Sequence, residues 1–136
     1  MTVLTQGREG AEQLGRAALL AATDDLVLTE YDLEPGTEPG DPHYHANHTD
    51  SFYVLEGELE FEIDGRAVRA TAGTLVVAPR GAVHAFPVAI GSRARFINLH
   101  TPGVGFDGYL RKLNEMRARG ETPDEEFLKA HDSYNV

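Results

Sequence analysis

The stretch Pro42-His43-Tyr44-His45-Ala46-Asn47-His48-Thr49-Asp50-Ser51-Phe52-Tyr53-Val54-Leu55-Glu56-Gly57 decides how the chain is read. Three of the six histidines fall within six positions, and a carboxylate follows at Asp50. His43 and His45 are two apart. On a strand both imidazoles leave the same face and converge on one point, which is what a metal ion needs. After Asp50 an apolar run closes on a turn residue, Gly57. A second stretch, Gly73-Thr-Leu-Val-Val-Ala-Pro79-Arg-Gly81-Ala-Val-His84, ends on another histidine.

Upstream of the first stretch, residues 34–42 are a Pro/Gly-dense loop that delivers the chain to His43. Val27 to Leu33 reads as a strand with Val27, Thr29 and Tyr31 on one face. Residues 10–22 are ambiguous, because alanine and leucine favour helix while Gly10 and Gly15 oppose it. Thr23-Asp24-Asp25 reads as a turn, and residues 2–6 as a short edge strand. Downstream, Leu59, Phe61 and Ile63 alternate with Glu58, Glu60 and Glu62, the pattern of a half-buried strand with an acidic outer face. Asp64-Gly65 is a two-residue hairpin turn. Counting back from it pairs Phe61 with Val68 and Glu60 with Arg69. Further strands are expected at 74–78, 83–89 and 95–99, with a turn at Gly91-Ser92, and Thr101-Pro102-Gly103 ends the sheet region. Strands this short and evenly punctuated imply an all-β sandwich or barrel.

From residue 105 the pattern changes. Phe106, Tyr109, Leu110, Leu113 and Met116 recur at helical spacing. Thr122-Pro123-Asp124-Glu125 reads as a second helix start. The first helix most simply packs its apolar stripe over the barrel, with dimer contact or pocket lid as sharper alternatives. The expected organisation is a β-barrel over 1–104 and a C-terminal helical extension of the same domain over 105–136.

Composition narrows the partners. The chain of 136 residues has 12 Lys+Arg against 22 Asp+Glu, a formal net charge of −10. Such a surface repels phosphate backbones and anionic lipid, so neither nucleic acid nor membrane is an expected partner. With no cysteine, any metal must sit on imidazole, carboxylate or water. The N-terminus carries no secretory pattern, so the expected address is cytoplasmic.

The two stretches together resemble the cupin superfamily, in particular its small single-domain members. The first cupin motif is Gly-x5-His-x-His-x3–4-Glu-x6-Gly, and His43, His45, Asp50 and Gly57 stand at its positions. The second is Gly-x5-Pro-x-Gly-x2-His-x3-Asn, matched by Gly73, Pro79, Gly81 and His84. The matched spans are 36–57 and 73–88. The resemblance implies a double-stranded β-helix, the jelly-roll barrel. Three departures stand out: the leading glycine is displaced to Gly36, the final asparagine is Val88, and the glutamate is Asp50. Aspartate is one methylene shorter and reaches about 1.5 Å less far. It is expected to bind directly only if the backbone moves in, and otherwise through water.

The resemblance implies one divalent metal (Fe, Mn, Ni, Cu, Co or Zn) held by His43, His45 and His84, with Asp50 as fourth ligand. His48 is the alternative fourth ligand, against a rim histidine facing solvent as the simpler reading. His100 either enters the same cavity as an acid or base or is a satisfied structural histidine. Phe52, Val54, Phe86 and Phe96 are candidates to line a substrate pocket, though at least half are expected to be plain core. Tyr31, Tyr44 and Asn98 are further polar candidates. His131 is expected to have no chemical role. By resemblance to flavonol-cleaving dioxygenases the expected activity is a metal-dependent oxygenase acting on a small enol, polyphenol or diketone, with Asp50 or His100 taking the hydroxyl proton. The alternatives are a non-redox isomerase, lyase or decarboxylase, and a non-catalytic binding protein. The resemblance also implies a homodimer.

Overall fold

A computed structural model describes residues 3–136. Its elements in chain order are β1 (Glu12–Leu14), β2 (Ala17–Ala22), β3 (Val27–Leu33), β4 (His43–Tyr44), β5 (Thr49–Glu56), β6 (Glu58–Ile63), β7 (Arg66–Thr71), β8 (Leu75–Ala78), β9 (Val88–Ala89), β10 (Ala94–Thr101), α1 (Phe106–Ala118), α2 (Glu125–Ala130) and β11 (Tyr134–Asn135). One sheet runs β1-β2-β3-β10-β5-β8, and the other layer holds β7-β6-β9 and the pair β11-β4. Single bridges from His43 to His84 and from His84 to Ile63 join these two parts of the second layer. This is the double-layered, antiparallel barrel expected of a jelly roll, with two C-terminal helices.

The inward faces of the strands are graded along the barrel. On β10, Ala94, Phe96, Asn98 and His100 all point inward and are buried. On β5 the inward series is Val54, Phe52, Asp50. Antiparallel register sets Val54 beside Phe96, Phe52 beside Asn98 and Asp50 beside His100. One end of the barrel is therefore apolar and the other polar. The apolar end packs Leu33, Phe52, Val54 and Phe96 of one sheet against Leu59 and Phe61 of the other. Phe52 and Phe61 meet edge to face at 5.0 Å between centroids. A smaller cluster of Leu19, Val27 and Phe106 seats α1 on the barrel.

The hairpin at 58–71 has the register counted from its turn, with Phe61 opposite Val68 and Glu60 opposite Arg69. Val68 nonetheless sits at the rim, 37% exposed. The ambiguity at 10–22 resolves as a strand hairpin, β1 and β2 turned at Gly15-Arg16, where burial of Ala17, Ala18 and Leu19 overrides their helical propensity. Several expectations are corrected. Residues 3–6 are not strand, and residue 2 lies outside the described residues. The strand expected at 83–89 is broken into a bridge at His84 and the short β9, because Pro87 has no N–H to give to a ladder. Sheet pairing does not end at residue 103: β11 adds Tyr134 and Asn135 beside Tyr44 and His43. The second helix is capped by Asp124 rather than Thr122, the Asp124 carboxylate accepting from the Phe127 N–H at 2.8 Å.

Gly57 ends β5 with φ 80°, and a Cβ there would stand 2.6 Å from the Arg93 carbonyl oxygen. Gly73 also has positive φ, but nothing lies within 4 Å of its virtual Cβ. Gly73→Ala is therefore expected to cost only the left-handed backbone penalty of about 1–2 kcal/mol. Gly57→Ala should cost at least about 1 kcal/mol more, since backbone must shift to relieve the overlap. Equilibrium urea unfolding of the two variants checks the difference.

Candidate metal centre

Backbone pairing assembles the polar end of the barrel. The His43 N–H donates to the His84 carbonyl and the His84 N–H to the His43 carbonyl, each at 2.9 Å. This reciprocal pair sets the two side chains side by side, with ring centroids 4.6 Å apart. His45 follows on the same face of the chain, its ring 4.9 Å from His43 and 5.2 Å from His84. Asp50 reaches in from β5. One donor atom from each of His43, His45, Asp50 and His84 can be chosen so that all four lie within 4.8 Å of one another.

Hydrogen bonds on the far side of each ring decide which nitrogen faces this point. His43 Nδ1 lies 2.8 Å from the Asp41 carbonyl, His45 Nδ1 2.7 Å from the Asp132 carbonyl, and His84 Nδ1 3.0 Å from the Ala82 carbonyl. A carbonyl only accepts, so each Nδ1 carries the proton and each Nε2 is turned to the centre. His84 Nε2 stands 3.0 Å from Asp50 Oδ2. His45 Nε2 stands 3.4 Å from the same oxygen and is the one buried side-chain nitrogen or oxygen among the described residues without a hydrogen-bond partner. An unsatisfied buried nitrogen is costly and needs an explanation. A lone pair kept free for a cation supplies one.

Asp50 is oriented by Asn98. The Asn98 amide donates to Asp50 Oδ1 and, at 3.0 Å, to the Ser51 carbonyl. This leaves Asp50 Oδ2 for the centre, so the shorter side chain does reach it from β5. Burial works to raise the Asp50 pKa, but His100, His45 and His84 outweigh it and hold the carboxyl well below the usual range. For His84, burial is outweighed by the Asp50 hydrogen bond and charge, and its pKa is raised. Burial pushes His43 down to about 4. Three imidazole nitrogens and one carboxylate oxygen are a donor set suited to a divalent transition metal. Ligands about 2.0–2.2 Å from a shared tetrahedral ion stand about 3.3–3.6 Å apart, so donors lying within 4.8 Å of one another would draw in to close the shell.

His48 is not a rim histidine and is not in the cluster. It is 0% exposed, with Nδ1 2.7 Å from Asp132 Oδ2 and Nε2 2.9 Å from His100 Nδ1. Its ring stacks on His45 at 4.1 Å. His100 is likewise fully engaged, because its Nε2 meets Asn98 Oδ1 at 3.0 Å. Since the Asn98 amide nitrogen is committed to Asp50 and Ser51, its Oδ1 must accept, and His100 Nε2 carries the proton. Burial pushes His100 down to about 3, so it is a neutral link and not a free acid or base. The sequence reading missed Asp132, and it placed Asn98 only among minor contacts. The alternation Ala94, Phe96, Asn98, His100 is the signal that points Asn98 inward.

A cavity of about 610 Å³ opens onto the centre. Tyr31, Phe52, Phe86 and Asn98 line it, together with His100 and the helical residues Phe106, Tyr109, Leu110 and Leu113. Val54 and Phe96 do not; both are core residues with no exposed surface. Tyr44 stacks on Tyr134, and His131 packs beside Phe127 and Tyr109.

A jelly-roll barrel with imidazoles and a carboxylate gathered inside one end defines a class, the cupins. The cupin domain profile matches residues 29–100, just over half of the chain, and the chain belongs to this family. Quercetin 2,3-dioxygenase of Bacillus subtilis (strain 168) is 29% identical over 73 residues, 54% of this chain and 21% of that protein. An uncharacterized protein of Aquifex aeolicus (strain VF5) is 42% identical over 43 residues, 32% of this chain and 36% of that one. The chain thus spans about a fifth and about a third of these two relatives. Among solved structures, KdgF from Halomonas sp. is 31% identical with a TM-score of 0.58, covering 63% of this chain and 76% of that one. An RmlC-like cupin from Shewanella frigidimarina NCIMB 400 has a TM-score of 0.63 at 24% identity, covering 74% and 92%. The polyketide cyclase RemF of Streptomyces resistomycificus has 0.62 at 24%, covering 74% and 80%. At that identity the last two share the fold alone.

If the four donors form one site, the metal-free protein is expected to take up one equivalent of Co²⁺ or Zn²⁺. His43→Ala, His45→Ala and His84→Ala should each weaken binding by more than about 100-fold, beyond the ~10–100-fold typical of losing an outer partner. His131→Ala should leave it unchanged. Isothermal titration with elemental analysis of the dialysed proteins checks both.

Proposed function

We propose that the protein is a metal-dependent oxygenase of the dioxygenase type, acting on a small planar molecule with an enol, polyphenol or diketone oxygen. The observation that carries this reading is the convergence of His43, His45, His84 and Asp50 at the floor of an aromatic-walled cavity. The local similarity to quercetin 2,3-dioxygenase supports the choice of reaction class. When bound there, a divalent metal supplies Lewis acidity and a template for substrate oxygens.

The chain's own residues have separable tasks. Tyr31 and Phe86 meet edge to face at 5.0 Å and give a planar ring a wall to lie on. The Tyr31 hydroxyl, pushed up to about 12 chiefly by burial, stays protonated at neutral pH and can donate to a substrate oxygen. Asp50 is ionised at neutral pH and is the carboxylate at the floor, so it is assigned to accept the substrate's hydroxyl proton. His100 is not, because both its nitrogens are engaged. Asn98 holds Asp50 in place. Phe106 and Leu113, both buried, keep the roof dry.

The test is an oxygen-electrode screen of protein loaded separately with Fe²⁺, Mn²⁺, Co²⁺, Ni²⁺, Cu²⁺ and Zn²⁺ against flavonols, catechols and 1,3-diketones. The expected result is O₂ uptake matched to substrate loss with a redox-active metal, abolished in His43→Ala and His84→Ala. Turnover with Zn²⁺ and no O₂ would instead place the protein with isomerases, lyases or decarboxylases. Tight binding without turnover would make it a carrier. Either result overturns the oxygenase reading.

A further inference from the structure

Asp132 lies in the C-terminal tail, outside the residues matched by the cupin domain, and is 7% exposed. Nearly all its hydrogen-bonding capacity is spent on the loop that carries the first histidines. Its Oδ1 accepts from the Ala46 N–H at 2.8 Å and from the Asn47 side-chain amide at 3.2 Å. Its Oδ2 accepts from the Asn47 N–H at 2.8 Å and meets His48 Nδ1 at 2.7 Å. Its backbone carbonyl accepts from His45 Nδ1 at 2.7 Å. One residue thus holds four consecutive positions, 45 to 48.

Two further features fit this arrangement. Asp132 has φ 59°, the left-handed region, which aspartate tolerates better than most residues. That conformation lets one residue present both its carbonyl and its carboxylate to the same loop. The tail is itself anchored by the β11 ladder, Tyr134 to Tyr44 and Asn135 to His43. His45 is then gripped on two sides: its Nδ1 by the carbonyl, and its ring face by His48, which the carboxylate holds in place. The His45 Nε2 left without a partner is the consequence.

We propose that Asp132 is a positioning residue of the metal centre, fixing the His45 tautomer through its carbonyl and the His45 ring through its carboxylate and His48. The inference rests on the reading of His43, His45, Asp50 and His84 as metal ligands. Fixing a ligand's tautomer and orientation from the outer shell typically contributes ~10–100-fold to metal affinity.

The test takes full-length protein with ¹⁵N-labelled histidine rings, as wild type, Asp132→Ala and Asp132→Asn. Tautomers are read metal-free by NMR, and each protein is then titrated with Co²⁺. Wild type should show His45 as the Nδ1–H tautomer. Asp132→Ala keeps a backbone carbonyl but loses the carboxylate that ties residue 132 to the 46–48 loop and disfavours its left-handed φ, so the carbonyl should leave His45. The variant should show a mixture at His45, bind Co²⁺ ~10–100-fold more weakly and shift the visible Co²⁺ absorption. Asp132→Asn keeps the size and a backbone-tolerant residue, so the carbonyl contact to His45 should survive while His48 is released. Its tautomer should stay as in wild type and its affinity should fall between the other two. Unchanged His45 tautomer and Co²⁺ affinity in Asp132→Ala overturns the proposal and leaves the metal reading standing. Should the alanine variant not fold, wild-type affinity and an unaltered His48 signal in Asp132→Asn overturn it equally. Failure of wild type to bind Co²⁺ overturns the metal reading, and the proposal with it.

Discussion

The site depends on one reciprocal pair of backbone hydrogen bonds, between His43 and His84. These residues are distant in sequence, and nothing in either side chain draws imidazoles together; like groups competing for one buried space repel once protonated. Strand pairing at the second layer overrides this and delivers both rings to the same spot. The rest follows from parity. His45 lies two residues from His43, and Asp50 lies on the inward series of β5 with Phe52 and Val54. The same alternation that buries the aromatic core at one end thus lines the other end with donors.

Gathering the histidines is only half of the construction, because a gathered imidazole still has two faces to offer. Each of the three is committed by a carbonyl behind it: Asp41, Asp132 or Ala82. Rings so fixed need no tautomeric rearrangement when a cation arrives. Beyond them a second line, Asp132, His48, His100 and Asn98, ends on Asp50. Burial, with His45 beside it, lowers the His48 pKa against the pull of the Asp132 carboxylate, which itself accepts two backbone N–H groups. A buried network of this kind gives rigidity at the cost of tolerating little change.

Much of this was legible in the chain. The period-2 runs and the Asp64-Gly65 turn give the 58–71 hairpin its register, and the histidine spacing marks the polar end. What resisted reading has physical causes. Ala17 to Ala22 has helical composition, but its burial between strands is a tertiary fact. The break at 83–89 follows from Pro87, whose missing N–H matters only once a ladder partner is known. His48 looks like a loop histidine until Asp132 is brought to it from the far end of the chain. That contact has no sequence signature beyond an aspartate near a helix end. Asn98 and His100 share the inward parity of Phe96, and that signal was present in the alternation of β10. The cupin profile, ending at residue 100, also leaves out the helices that roof the cavity and the tail that clamps it.

One shared cation is expected to be held by the imidazoles of His43, His45 and His84, gathered by pairing in the second layer, and by Asp50, which reaches in from β5 of the facing sheet. X-ray absorption fine structure on stoichiometrically Zn²⁺-loaded protein tests it most directly, since imidazole rings leave a distinct multiple-scattering pattern. Three imidazole nitrogens and at least one oxygen are expected at about 2.0–2.2 Å. A shell of oxygen alone, or with a single imidazole, would contradict it.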